Sequence, residues 1–283
     1  MNLTAEPGGA RTLLGAPPPL RAAGLAWLGQ AGFLIRHARH RLLIDPYLSN
    51  YLARKYAGTE LPHLRLMPPP IEAGAIHDLD LVLCTHRHSD HADPESLPVL
   101  ARNNPECRFV FPRADLAAAI EMGLDESKLI AVNDGDTIRI GDWLELHVLA
   151  SAHETLEVNE RGEHHFLGYV MRLGELAVYH SGDSVVYDGL AKRLAALKPA
   201  LALLPANGRS EYLRRRRIAG NMTFREAADL CLAAGIPWLM PHHFGMFEFN
   251  TADPARLRAE AARLESDRLQ CIVPDVASHY LAG

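Results

Sequence analysis

An apolar run at residues 79–85 ends in His86-Arg87-His88-Ser89-Asp90-His91, which puts four metal-binding side chains within six consecutive positions. Imidazoles and carboxylates gathered without a cation suffer desolvation and mutual repulsion, which a bound divalent ion removes. Nitrogen and oxygen donors suit borderline to hard ions. The apolar run reads as a buried strand, and Asp93-Pro94 as the N-cap and first-turn proline of a following helix, so the cluster occupies a strand-to-helix loop. His86 and His88 are two apart, and on an extended backbone both imidazoles point to one side and can grip one ion. Asp90 and His91, past the turn, are free to face a second.

The rest of the chain alternates short strand patterns with helical ones. Strands are expected around 25–28, 33–35, 41–44, 108–111, 137–140, 143–149, 166–172, 176–180, 200–204, 237–240 and 269–273, and helices over 114–122, 190–197, 224–234 and 254–264. Two halves of this kind predict an α+β fold with two sheets packed face to face and helices outside, a four-layer αββα sandwich. Residues 1–23, rich in Pro, Gly, Ala and Arg, read as a flexible N-terminal extension, and residues 24–283 as a single domain.

With 283 residues, 48% hydrophobic and 22% charged, the chain can bury a large core. Its formal net charge of -5 argues against a general nucleic-acid or anionic-membrane binder, so any anion site must be local. Cys84, Cys107, Cys231 and Cys271 lack Cys-x-x-Cys spacing and read as reduced core thiols. With no long apolar span and no leader-like segment, the expected location is the cytoplasm, with no membrane partner.

A two-ion site needs further ligands, and His153, Asp183 and His243 each follow an apolar run where strands end. A lone histidine in such a place is ordinarily just a satisfied polar residue. Here the three join an established nucleus. Asp45, also at a strand end, reads either as a hydrogen-bond acceptor for a ligand histidine or as a turn cap before Pro46.

The pattern His-x-His-x-Asp-His at 86–91 resembles the signature of the metallo-β-lactamase superfamily, and the resemblance runs over roughly residues 24–274. The segments Trp27 to Gly32, Tyr179 to Ser184, Asn221 to Thr223, Pro241 to His243 and Ala252 to Pro254 are similar to the ascorbate-6-phosphate lactonase-like group. The chain departs from the lactonase at His153 and in its Arg214 to Arg217 run. The resemblance implies a first metal held by His86, His88 and His153, a second by Asp90, His91 and His243, and Asp183 bridging both. It selects His243 over His242, leaving His242 to support the site or fill the core, and His180 to buttress Asp183.

Two divalent ions, Zn or Mn with Fe as a third candidate, sit about 3.5 to 4 Å apart in such sites and lower the pKa of a bound water to about 7. The expected chemistry is attack by a metal-bound hydroxide on a lactone, ester or phosphodiester, with Asp90 orienting the nucleophile or shuttling its proton. The Arg209 to Arg217 segment reads either as a solvated basic face or, through Asn207, Arg209 and Arg214, as a site for a small anionic, phosphorylated substrate. It could equally serve a homo-oligomer interface. His164-His165 reads as a surface turn or as part of a pocket wall.

Three alternatives share the ligand set: a nucleic-acid or cyclic-nucleotide phosphodiesterase, an iron-dependent redox protein, and a metal-stabilised binding module. About 60 residues separate Asp183 from His243, too few for the extra domain that many nucleases of the superfamily insert there.

Overall fold

The computed structural model describes residues 1–19 and 22–283. Strands β1 (Leu3–Pro7), β2 (Ala23–Gly29), β3 (Gly32–His37), β4 (His40–Ile44), β5 (Leu81–Leu83), β6 (Arg108–Pro112) and β7 (Leu129–Val132) belong to one sheet. Strands β8 (Thr137–Ile140), β9 (Leu144–Ala150), β10 (Leu167–Leu173), β11 (Leu176–His180), β12 (Leu201–Pro205), β13 (Trp238–His242) and β14 (Gln270–Cys271) form the second, and β15 (Ser278–Ala282) returns to the first. The orders are β1-β15-β2-β3-β4-β5-β6-β7 and β14-β13-β12-β11-β10-β9-β8. The helices are α1 (Gly9–Gly15), α2 (Tyr51–Lys55), α3 (Ser96–Asn103), α4 (Leu116–Glu121), α5 (Leu190–Leu197), α6 (Glu211–Arg214), α7 (Phe224–Ala234) and α8 (Pro254–Leu264).

Strand periodicity separates the layers. Leu25, Trp27, Phe33, Ile35, Leu42, Ile44, Leu81 and Leu83 share one core with Leu146, Val148, Tyr169 and Met171 of the second sheet, between the sheets. Their alternates Ala26, Leu28, Leu34, Leu43 and Val82 pack instead with Leu13 of α1 and Leu97 and Leu100 of α3. Side chains two apart face the same way on a strand, so one sequence supplies both faces. The helices α5 and α7 bury Leu190, Leu194, Phe224 and Ala227 on the second sheet. The result is the four-layer αββα sandwich expected from the strand and helix order.

One sequence expectation changes. The segment expected to be a flexible extension, residues 1–23, carries β1 and α1; β1 pairs antiparallel with β15 from Leu3 beside Ala282 to Pro7 beside Ser278, and Leu13 is buried. Residues 20 and 21 of that segment lie outside the described residues. Only Leu3 of β1 is buried, so the strand has no alternation to read; its backbone pairing with the far end of the chain specifies it. β1 and α1 are therefore packed parts of the fold. Asp93 takes the capping place expected of it, its Oδ1 accepting from Glu95 N at 3.1 Å and its carbonyl from Leu97 N at 3.0 Å just before the regular helix at Ser96, and its Oδ2 also accepts from the N–H groups of Leu48 and Ser49 at 3.2 and 3.0 Å.

β4 to β7 are parallel neighbours, as are β11 to β14, and β9 runs in the same direction as β11 because both are antiparallel to β10. The carboxyl ends of β4, β5, β9, β11 and β13 therefore open toward the loops that carry Asp45, His86, His153, Asp183 and His243. Crevices at such strand ends are where open α/β sheets place their ligands.

Candidate metal centre

β4 and β5 run side by side with Ile44 beside Leu83, so Asp45 and Thr85 leave the sheet together. Asp45 Oδ1 accepts from Thr85 N at 2.8 Å, and Oδ2 accepts from Thr85 Oγ1 and from His91 Nδ1, each at 2.7 Å. Past Thr85 the chain makes one turn, in which the N–H groups of His91 and Ala92 donate to the His88 carbonyl at 2.9 and 2.8 Å. The turn stacks His91 near His86, with ring centroids 4.0 Å apart, and leaves His88 4.6 Å from His86.

The second sheet delivers the other three. His153 lies 5.3 Å from His88 and 6.0 Å from His86, ring to ring. Asp183 Oδ1 is 3.3 Å from His91 Nε2, and its Oδ2 is 3.2 Å from His243 Nε2 and 4.0 Å from His153 Nε2. Asp90 Oδ2 is 3.7 Å from His243 Nε2 and 3.8 Å from His91 Nε2. Two triads have donor atoms all within 4.8 Å of one another: Asp90, His91 and His243, and His86, His91 and Asp183. The first coincides with a trio implied by the family resemblance. The second puts Asp183 beside His86, where His88 and His153 were expected to complete the set; the rings of those two flank His86 instead.

These groups fit a divalent cation. His86 Nε2, His91 Nε2 and Asp183 Oδ1 are buried without a hydrogen-bond partner, the last two being close but not aligned. Each such orphan costs about 1–3 kcal/mol, which coordination would offset. Burial, then the neighbouring His91 and His88, hold His86 well below the ordinary imidazole range, and burial followed by His153 takes His88 down to about 4. Both rings are therefore neutral at pH 7, the form in which an imidazole can coordinate a cation. Burial also opposes charge on His91 and on Asp183, but their partners outweigh it: Asp183, Asp45 and Asp90 raise the His91 ring, and His243 and His91 hold the Asp183 carboxyl well down. The ionised Asp183 carboxylate is thus balanced by the His91 ring, a role that a bound cation would take over.

The supporting residues expected from the sequence take distinct roles. Asp45 orients His91, as the acceptor reading requires. His180 Nδ1 accepts from Gly182 N at 3.0 Å while its Nε2 donates to Ala31 O at 2.8 Å, which fixes the turn that carries Asp183. Gly182 has φ +60°, and a Cβ there would fall 2.7 Å from Thr85 Cβ, so this turn requires glycine. His242 supports no ligand by hydrogen bonding: both ring nitrogens lack partners, and the ring stacks on His180 at 4.6 Å. Burial, then His180, keep it neutral.

Sequence reasoning did not assign roles to Gln30 or Asn221. Gln30 Nε2 donates to Asp90 Oδ2 at 2.7 Å and lies 3.0 Å from His243 Nε2. Asn221 Oδ1 accepts from His153 Nδ1 at 3.2 Å. A buried amide in a glycine-bounded turn and an asparagine before a capped helix were the available signals. Asn207, expected to bind substrate, instead accepts from Asn221 Nδ2 at 3.1 Å and donates to Asn250 Oδ1 at 2.8 Å.

A cavity of about 590 Å³ lies over His88, Asp90, His153, Asp183 and His243. Tyr56, His63, Phe247 and Phe249 give it an aromatic side, and Lys55, Arg87 and Arg217 bring positive charge. Arg209 and Arg214, expected at the substrate, do not line it. Arg209 forms a bidentate pair with Glu226 at 2.7 and 2.6 Å, and Arg214 reaches Glu154 and Glu211 at 3.3 and 3.5 Å. Arg215 pairs with Glu211 at 3.0 Å and Arg216 with Glu60 at 2.6 Å, leaving Arg217 (φ +59°) as the member of the run that reaches the cavity. Among the described residues no helix is long and apolar enough to cross a membrane.

Comparison with known proteins agrees with this geometry. The chain is 26% identical to a metal-dependent hydrolase of Caldivirga maquilingensis over 83% of its own length and 87% of the relative's. It is also 26% identical to a probable L-ascorbate-6-phosphate lactonase of Escherichia fergusonii, over 74% of this chain and 61% of that one. In structure it resembles an isothiocyanate hydrolase from Delia radicum gut bacteria, with a TM-score of 0.72 at 18% identity, over 90% of this chain and 97% of the other. The sequence pattern of the beta-lactamase superfamily domain matches residues 40–244. The protein therefore belongs to the beta-lactamase superfamily and groups with its metal-dependent hydrolases.

Proposed function

We propose that the protein hydrolyses an ester, lactone or phosphodiester bond in a small anionic substrate, using two divalent ions, Zn or Mn, held by His86, His88, His153, Asp90, His91 and His243 with Asp183 between them. The observation that carries this reading is the convergence of buried, unpartnered His86 Nε2, His91 Nε2 and Asp183 Oδ1 beneath an accessible cavity. Ions bound there would supply Lewis-acid polarisation of the scissile group and lower the pKa of water toward about 7.

The chain's own groups do the rest. Asp90, aimed by Gln30 and bordering the cavity, takes the proton of the attacking water. Asp45 and Asn221 hold the rings of His91 and His153 so that the opposite nitrogens face inward. The cavity volume falls within the roughly 300–1,000 Å³ range of small-molecule sites. Lys55, Arg87 and Arg217 match a phosphate or carboxylate on the substrate.

The test is elemental analysis of the purified protein together with assays on sugar-lactone phosphates, cyclic nucleotides and simple aryl esters, with Mn or Zn added. His86→Ala is expected to abolish turnover and remove one metal equivalent. Unchanged metal content in that variant would sink the assignment.

A further inference from the structure

One pair of side chains on the cavity wall is unused by the metal centre. Asp115 and His165 are 50 residues apart in sequence, yet His165 Nδ1 lies 3.0 Å from Asp115 Oδ1, and both line the cavity that holds Asp90, Asp183 and His243. The Asp115 side chain is 3% exposed and its Oδ2 has no hydrogen-bond partner, whereas the His165 side chain is 27% exposed.

The placement of Asp115 is informative. It occupies the N-cap position of α4 but makes no side-chain bond to the helix end. A capping aspartate normally contributes about 0.5–2 kcal/mol there. In this protein the carboxylate is turned away from the helix toward the imidazole. A carboxylate can only accept, so Nδ1 carries the proton of this bond and Nε2 is the nitrogen left for the cavity. Arg87 Nε, 3.6 Å from Asp115 Oδ1, borders the same corner.

We propose that His165 is the general acid that protonates the leaving group in the hydrolysis proposed above, and that Asp115 is its positioning residue. The inference rests on that hydrolase reading. In the step, water adds to the carbonyl or phosphorus, and the bond to the leaving oxygen breaks with its electron pair on that oxygen. His165, protonated on both nitrogens, gives the Nε2 proton to the departing oxygen and remains neutral with Nδ1–H bonded to Asp115. Solvent at the exposed ring edge restores the proton. The carboxylate balances the ring's charge before transfer and fixes its orientation throughout, the arrangement that makes a histidine an efficient proton donor.

A general acid matters most when the leaving group is a poor one, which sets the experiment. The full-length protein with Zn or Mn added would be assayed on the phenyl and 4-nitrophenyl esters of acetic and methylphosphonic acids. A general acid typically supplies about 100- to 10,000-fold. His165→Gln is expected to lower kcat on the phenyl esters by about that factor and on the 4-nitrophenyl esters at least tenfold less, with metal content equal to that of the unaltered protein. Equal losses on both leaving groups would overturn the proposal.

A second arm is independent of turnover. In ¹⁵N-labelled protein the neutral His165 ring is expected to be the Nδ1–H tautomer, and Asp115→Asn to shift that tautomer balance. A ring protonated on Nε2, or one indifferent to Asp115→Asn, would also overturn it. If the unaltered protein cleaves none of these esters, sugar-lactone phosphates or cyclic nucleotides while the tautomer behaves as expected, the hydrolase reading fails and the general-acid role with it, and only the Asp115–His165 pairing stands.

Discussion

Asp45 Oδ2 accepts a hydrogen bond from His91 Nδ1 at 2.7 Å, and both side chains are fully buried. The same carboxylate holds the backbone and hydroxyl of Thr85, so one residue at the end of β4 sets both the start of the histidine turn and the orientation of its last histidine. Removing such a partner typically costs about 10–100-fold in metal affinity or activity. Asp45→Asn is expected to fall in that range, read by metal titration against a competing chelator. Unaltered affinity would show that His91 is oriented by something else.

Asn221 does for His153 what Asp45 does for His91, but through a neutral and longer bond of 3.2 Å. Asn221→Ala should therefore weaken metal binding less than Asp45→Asn, about tenfold or below. Asn207→Ala, which reaches His153 by way of Asn221, should weaken it less again. The order of the three variants in chelator competition is the measurement, and a larger effect for Asn207 would argue for direct contact with substrate or metal.

The arginine run divides by partner. Arg217→Ala and Arg87→Ala are expected to raise KM for an anionic substrate severalfold more than for a neutral one of the same shape. Arg209→Ala should leave that ratio unchanged and lower stability by about 0.5–1 kcal/mol, since its half-exposed pair with Glu226 is largely screened. Thermal unfolding and parallel KM measurements separate the two behaviours.

Glu226 offers a test in acid. Hydrogen bonds from Arg209, then from the backbone and hydroxyl of Thr223, outweigh burial and hold its carboxyl down at about 2 against an ordinary 4.5. A carboxyl whose pKa is depressed in the folded state stabilises that state fully above the ordinary value. The contribution is lost as pH falls from about 4.5 to about 2. Glu226→Gln should be less stable than the parent at pH 7, and the difference should shrink as the pH is lowered through that window. A constant difference in urea midpoint across those pH values would contradict the capping-box and Arg209 account.

Chelation should destabilise the fold as well as stop turnover. Ligands that bind only the native state stabilise it by RT ln(1 + [L]/Kd), about 4 kcal/mol at a thousandfold excess over Kd. Stripping the protein with a chelator is expected to lower the Tm, with recovery on adding Zn or Mn. An unchanged Tm would mean that the buried orphans His86 Nε2 and Asp183 Oδ1 are not relieved by a metal.

Much of this molecule follows from local pattern. The apolar runs at 25–28, 33–35, 41–44 and 79–85 marked the strands β2 to β5, and the spacing at 86–91 placed four ligand-type side chains in one loop, because both depend only on near neighbours in the chain. His153, Asp183 and His243 were legible one step less directly, as polar residues at the ends of apolar strands. The parallel direction of those strands is what makes their ends meet.

Tertiary structure alone decided the rest, since each remaining feature joins residues that the chain keeps far apart. β1 exists because β15 lies beside it, 275 residues on from Leu3 to Ser278. Gln30 reaches Asp90, and Asp115 reaches His165, only after distant elements have packed together. Among the arginines, Arg209, Arg214 and Arg216 look the same in sequence as Arg217. Which one faces the cavity depends on the carboxylates of Glu226, Glu154 and Glu60, delivered by other parts of the fold. Local spacing determines which side chains can act together, and long-range packing determines which of them are free to.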